Sequence, residues 1–191
     1  MDKALAVRTH QEMLDVLMDT KSTGPDIHYF MIRGGTEKRN ITIWQNGLVG
    51  EEYIKTYGHY HVSDFIETYT VLAGHGIILL QERKHDADGR PIDNEVENIK
   101  AIFVKPGSVV PIPERAGHLA VNISDTWFVT SDDSPVNFDK SQEAAWPKHA
   151  DYEPVKKLQG FAYYVVKKDG KPVFVKNPNY KNVPEIVVEY M

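Results

Sequence analysis

His59 and His61 stand one residue apart in Thr56-Tyr57-Gly58-His59-Tyr60-His61. In an extended strand, side chains at i and i+2 project to the same face, so this spacing sets two imidazoles side by side. Glu67 comes after a short polar connection and opens a β-rich run, Thr68-Tyr69-Thr70-Val71-Leu72. A hairpin between the two runs would fold its carboxylate back beside the rings. Two imidazole nitrogens and one carboxylate oxygen suit a first-row divalent ion. The pair alone is weak evidence, because 8 histidines occur in 191 residues and a surface strand with solvated rings explains it as well. His10, His28, His75 and His85 read as exposed or core-edge side chains.

A further ligand must come from elsewhere, and the second half of the chain holds Pro106-Gly107-Ser108-Val109-Val110-Pro111-Ile112-Pro113, a second turn, and then His118-Leu119-Ala120-Val121-Asn122. His-x-His, Glu67 and Gly74, followed in order by Pro-Gly, Pro, His118 and Asn122, resemble the paired signature of the cupin family. The resemblance implies a small β-barrel in which three histidines and a glutamate hold a metal, here His59, His61, Glu67 and His118.

The elements that must position these groups are mostly strands. Thr9 to Met18 predicts a short amphipathic helix with Thr9 as its cap and Met13, Leu14, Leu17 and Met18 on one side, packed on the outside of the barrel. From Ile27 the pattern turns to β: Ile27–Ile32, a Gly34-Gly35 turn, Ile41–Trp44, then Ile77–Gln81, Ala101–Val104, Val109-Val110, Leu119–Asn122 and Trp127–Thr130. Glu82 to Lys100 is charged and predicts an exposed hairpin tip around Asp86-Ala87-Asp88-Gly89-Arg90-Pro91, which lacks the later ligands of a calcium loop. Strands at this density argue for a sandwich or barrel. The expected fold is therefore all-β, a cupin β-barrel (double-stranded β-helix or jelly roll) with a short N-terminal helix and extra strands at the termini. One domain is expected over 1–191: a helical extension (1–26), the barrel core (27–130), an irregular flank or lid (131–160) and C-terminal strands (161–191) that close the outer sheet or pair with a second subunit.

Composition limits the partners. Net charge is −5 with 26% charged residues, which gives no case for nucleic acid or an anionic membrane. The chain has no cysteine, so disulfides and thiolate ligands are excluded. No apolar run approaches a bilayer span and the N-terminus lacks the apolar segment of a secretory signal, so a cytoplasmic location is expected.

Within the cupins the resemblance narrows. Thr42-Ile43-Trp44-Gln45-Asn46-Gly47, the stretch Tyr53 to His61, Glu67-Thr68-Tyr69, Leu79-Leu80-Gln81, the Pro-Gly to Asn122 block, Gly160-Phe161 and Asn177-Pro178 resemble, in order, the cupin-type glucose-6-phosphate isomerases of archaea and some bacteria. The similarity runs from about Asp26 to Tyr180. It implies interconversion of glucose 6-phosphate and fructose 6-phosphate, a homodimer, and one divalent ion per subunit: iron(II), or else manganese, zinc or nickel. By the same resemblance Thr42, Thr56 and Gly58 hold the phosphorylated hexose. Of the two chemical routes, hydride shift between metal-polarised carbons and proton transfer, the second needs a base, for which Glu67 is the candidate as well as a ligand, with Tyr69 orienting a sugar oxygen or the carboxylate. Between Thr130 and Tyr152 the chain departs from the family's Tyr-Pro-Ala-Asp-Ala-Gly-His-Asp-Tyr segment, ending instead in His149-Ala150-Asp151-Tyr152. The catalytic and substrate-binding roles pass there to His149 and Tyr152. Two other classes use the same barrel: a metal-dependent cupin oxygenase, whose pocket need not bind phosphate, and a non-catalytic sugar-binding cupin.

Overall fold

Runs of β-branched and aromatic residues between Gly and Pro become strands, as pleated geometry favours. The computed structural model describes residues 4–34, 40–62, 66–134 and 150–191. Strand β1 (Ala4–Thr9) leads into α1 (His10–Met13), followed by a 3-10 turn over Leu14–Val16. Next come β2 (Ile27–Arg33), β3 (Asn40–Trp44), β4 (Leu48–Val49), β5 (Glu52–Tyr53), β6 (His59–His61) and β7 (Glu67–Ala73). The hairpin β8 (Gly76–His85) and β9 (Pro91–Val104) is followed by β10 (Val109–Ile112), β11 (Gly117–Asn122) and β12 (Phe128–Asp132). The last elements are β13 (Ala150–Asp151), α2 (Glu153–Lys157), β14 (Tyr163–Lys168), β15 (Lys171–Lys176) and β16 (Val187–Tyr190).

These strands form two six-stranded sheets, β1-β2-β3-β12-β7-β10 and β13-β6-β11-β8-β9-β16, and a four-stranded sheet, β15-β14-β5-β4. The quartets β3-β12-β7-β10 and β6-β11-β8-β9 alternate between the two large sheets, which is the jelly-roll order of a cupin barrel. Their inner faces enclose the core, with Trp44, Val71, Ile78, Ile112, Ala120 and Phe128 almost wholly buried. The second sheet is buried on both faces: all six residues of β11 are buried. Its outer side is covered by the C-terminal segment, where Phe161 stacks on Tyr60 at 5.9 Å and Phe174 meets Phe103 at 6.3 Å. Among the described residues no helix is long and apolar enough to cross a membrane.

Three expectations change. The N-terminal extension is not purely helical, because Ala4–Thr9 pairs antiparallel with β2 and adds an edge strand. The helix is a single turn. Thr9 caps it in a reciprocal capping box with Glu12, but Met13, Val16 and Leu17 must all be buried in the barrel core, and the chain tightens and then extends to bring them there. A buried ion pair holds this segment: Lys55 Nζ donates to Glu52 and to the Val16 carbonyl (2.6 Å), while Glu52 accepts from the Met18 amide (2.8 Å). The third change concerns the C-terminal strands. β14 and β15 join β5 and β4 rather than the barrel, and β16 pairs parallel with β9. The Asp86 turn is the tip expected: its carboxylate accepts the amides of Asp88 (2.9 Å) and Arg90 (2.8 Å). The Gly35 half of the turn after β2 and most of the expected lid, 135–149, lie outside the described residues.

Candidate metal centre

β6 and β11 are antiparallel neighbours in the second sheet, with His59 directly opposite His118. His61 follows two residues along on the same face, and the three rings crowd together, their centroids 4.4 Å (His59–His118), 4.8 Å (His61–His118) and 5.6 Å (His59–His61) apart. Glu67 does not arrive by a hairpin with β6, as the sequence suggested. It opens β7 in the facing sheet, opposite Ile112 of β10, and its carboxylate crosses the barrel interior. The ligand set therefore spans both sheets.

Glu67 Oε2 lies 3.2 Å from His61 Nε2 and 3.2 Å from His118 Nε2. One ligand atom from each of the four residues falls within 4.8 Å of all the others. Donors bound at 2.0–2.2 Å to one ion are roughly 3 Å apart, so the two 3.2 Å separations from Glu67 suit a shared cation. A second observation agrees. Both ring nitrogens of His118 are buried without a hydrogen-bond partner among the described residues, although Nε2 sits so close to the carboxylate. Such a ring is poorly satisfied by the protein alone, as expected where a nitrogen lone pair is aimed at an ion. Burial pushes the Glu67 carboxyl upward, but the attraction of His118 and the contacts with His118, His61 and His59 outweigh it and hold the group well below the usual carboxylate range. Three imidazoles and a carboxylate could hold a first-row divalent ion.

The centre opens on a cavity whose wall draws polar and aromatic side chains from both large sheets. His59, Glu67 and His118 form one part of its wall. Of the residues predicted for substrate, Thr42, Thr56, Gly58, Tyr69 and Tyr152 all line it. Thr56 Oγ1 accepts the Ala120 amide at 3.0 Å, which leaves the hydroxyl proton to donate into the cavity. Gly58 has φ +80°, and a Cβ there would come within 3.0 Å of the Phe161 ring and 3.2 Å of Leu119. The left-handed backbone and the close Phe161 ring together call for glycine at this point. Gly74 is needed for a different reason, since a Cβ would meet the Trp127 carbonyl at 2.4 Å. Tyr69 packs edge-on to His118 at 5.5 Å, and Tyr152 lies 5.2 Å from His59 and 5.7 Å from Tyr57. Burial raises the hydroxyls of Tyr69 and Tyr152 above the usual tyrosine value, so both remain protonated donors. His149 lies outside the described residues.

The sequence reading missed part of the wall: Tyr29, Met31, Arg33, Tyr57, Asp132 and Ser134. Asp132 is buried, accepts from Asn40 Nδ2 at 2.6 Å and from the Ser134 amide at 3.2 Å, and has its carboxyl pushed up by burial and by Glu67. Of the remaining histidines, His75 and His85 are exposed as expected. His28 is not at the core edge: it is fully buried, with Nε2 3.1 Å from His10 Nδ1.

A family profile described as glucose-6-phosphate isomerase matches residues 31–183. The chain is 32% identical over 143 residues to the glucose-6-phosphate isomerase of Pyrococcus furiosus and 30% identical over 143 residues to that of Thermococcus litoralis. Each match covers 73% of this chain and 62% of the relative's own length. Among solved structures, a predicted oxalate decarboxylase from Thermotoga maritima superposes with a TM-score of 0.40 at 12% identity, covering 69% of this chain and 90% of the other. The capsular polysaccharide assembling protein CapF from Staphylococcus aureus gives 0.40 at 15% identity, covering 73% and 31%.

Proposed function

The chain belongs to the glucose-6-phosphate isomerase family, and from that premise we propose that it interconverts glucose 6-phosphate and fructose 6-phosphate with one divalent metal ion bound per subunit. The observation that carries the reading is the opening of the four-residue cluster onto a cavity also lined by Thr42, Thr56 and Gly58. Moving hydrogen between C1 and C2 of an open-chain sugar develops charge on two adjacent oxygens. When bound, the ion supplies a Lewis acid for those oxygens.

The protein's own residues do the rest. His59, His61, Glu67 and His118 hold the ion, iron(II) being the one the family resemblance favours. The Thr42 and Thr56 hydroxyls and the Gly58 backbone amide take the sugar phosphate, with Tyr152 beside them. Tyr69, kept protonated by burial, donates to a sugar oxygen and fixes the chain of the substrate. In a proton-transfer route Glu67 accepts the C2 proton and returns it at C1, which requires it within hydrogen-bond reach of both carbons. His149 serves ring opening. The test is a coupled assay for glucose 6-phosphate formed from fructose 6-phosphate. Activity abolished by chelator and restored by iron or manganese is expected; metal-reconstituted protein that turns nothing over would remove the assignment.

The partner we propose is a second copy of the chain. The outer face of the first sheet carries Leu5, Val7, Phe30, Ile32, Ile41, Ile43, Val129, Ser131, Thr70, Leu72, Val109 and Pro111, aligned by cross-strand pairing. None is charged, in a chain with 26% charged residues, and Leu5, Leu72 and Val109 are each about half exposed or more. An uncharged face offers nothing to a charged partner, while it matches itself across a two-fold axis.

A further inference from the structure

β2 presents its residues in an unexpected sense: Tyr29, Met31 and Arg33 line the cavity while Phe30 and Ile32 face outward. Arg33 is the only arginine or lysine among the described lining residues. Its guanidinium folds back along the strand, placing Nη2 3.3 Å from Met31 Sδ. Met31 is the cross-strand partner of Thr42, so the charge lies over the row of the sheet that carries that hydroxyl. A thioether is a weak acceptor, and it is the one hydrogen-bond partner Arg33 has among the described residues. Asp132, the buried carboxylate nearby in the same wall, takes its hydrogen bonds from Asn40 and Ser134 and feels Arg33 through its charge alone among the described contacts. A planar fork of donors, permanently charged and with no carboxylate hydrogen-bonded to it among the described residues, is therefore held in the cavity wall.

We infer that Arg33 is a specificity-determining residue that binds the substrate's phosphate dianion, joining the neutral donors of Thr42, Thr56 and Gly58 and making the cavity select phosphorylated over unphosphorylated sugars. The inference rests on the isomerase reading for its substrate, but charge-based selection of a phosphorylated ligand is measurable without turnover. Charge-assisted hydrogen bonds to phosphate are roughly twice as strong as neutral ones, and among the described lining residues Arg33 is the arginine or lysine that can supply them.

The experiment compares wild type with Arg33→Gln, Arg33→Met and, as a control for net charge, Arg90→Gln on the exposed β8–β9 tip. Two readouts are taken on metal-loaded protein: KM and kcat for fructose 6-phosphate, and calorimetric binding of 6-phosphogluconate against gluconate. Both Arg33 variants are expected to raise KM, and to weaken 6-phosphogluconate, by roughly 10- to 100-fold. Little change is expected in kcat, in gluconate binding, or in Arg90→Gln. KM and 6-phosphogluconate affinity within about twofold of wild type in either folded Arg33 variant would overturn the inference while leaving the isomerase assignment intact. If wild type turns nothing over yet prefers 6-phosphogluconate in an Arg33-dependent way, the isomerase reading fails and the anion role stands.

Discussion

His118 bears most on the metal centre, because no other partner among the described residues satisfies its buried ring nitrogens. His118→Ala should therefore remove metal and turnover together. Substitutions of groups that merely support a ligand cost 10–100-fold in affinity or activity, so loss of a ligand should exceed about 100-fold; elemental analysis of the purified variant checks the metal and the coupled assay the rate. The His59/His61 pair was legible in the sequence because an i, i+2 spacing in a strand has one geometric outcome, whereas His118 was reached only through the family resemblance. Arg33 was not legible. Alternation in Tyr29-Phe30-Met31-Ile32-Arg33 would ordinarily turn Phe30 and Ile32 inward, and only a polar cavity inside and an apolar face outside reverse it. Asp132 was hidden likewise, since its approach to Glu67 follows from pairing of β12 with β7 across a long sequence separation.

At the scale of elements, the segment from β1 to the 3-10 turn is docked by polar groups that burial has made sensitive to acid. Burial first, then the neighbouring charges of His10 and Lys55, lower His28 from 6.5 to about 4. The native state thus keeps His28 neutral where the unfolded chain would take up a proton. The sign follows: its contribution is fully present above about pH 6.5 and is lost as pH falls toward 4, at up to about 1.4 kcal/mol per pH unit within that window. His28→Gln should flatten the acid limb of the melting temperature against pH; a limb as steep as wild type would show that other groups set it. The strand pattern from Ile27 onward was readable from β-branched runs. The β1 strand and the crossing of Glu67 between sheets were not, because a short edge strand and a sheet change leave no local signature.

For the whole molecule, coverage of the second sheet by the C-terminal strands and the uncharged outer face of the first, with Leu5, Leu72 and Val109 exposed, predict association through the latter. Light scattering should give twice the 21.7 kDa chain mass, and Ile43→Glu, which sets a charge in the middle of the face, should yield monomer with its fold intact by circular dichroism. A wild-type monomer at assay concentration would contradict this. A sandwich or barrel was legible in the density of strands and the cupin class in the family resemblance, while the barrel brings His118 to His59, His61 and Glu67 from a distant part of the sequence.

The most direct measurement is a titration of chelator-stripped protein with iron(II) or manganese, following bound metal and fructose 6-phosphate turnover in the same samples. Turnover should rise in proportion to bound metal and level off at one ion per chain. Full turnover by metal-free protein, or none at full occupancy, would contradict the account.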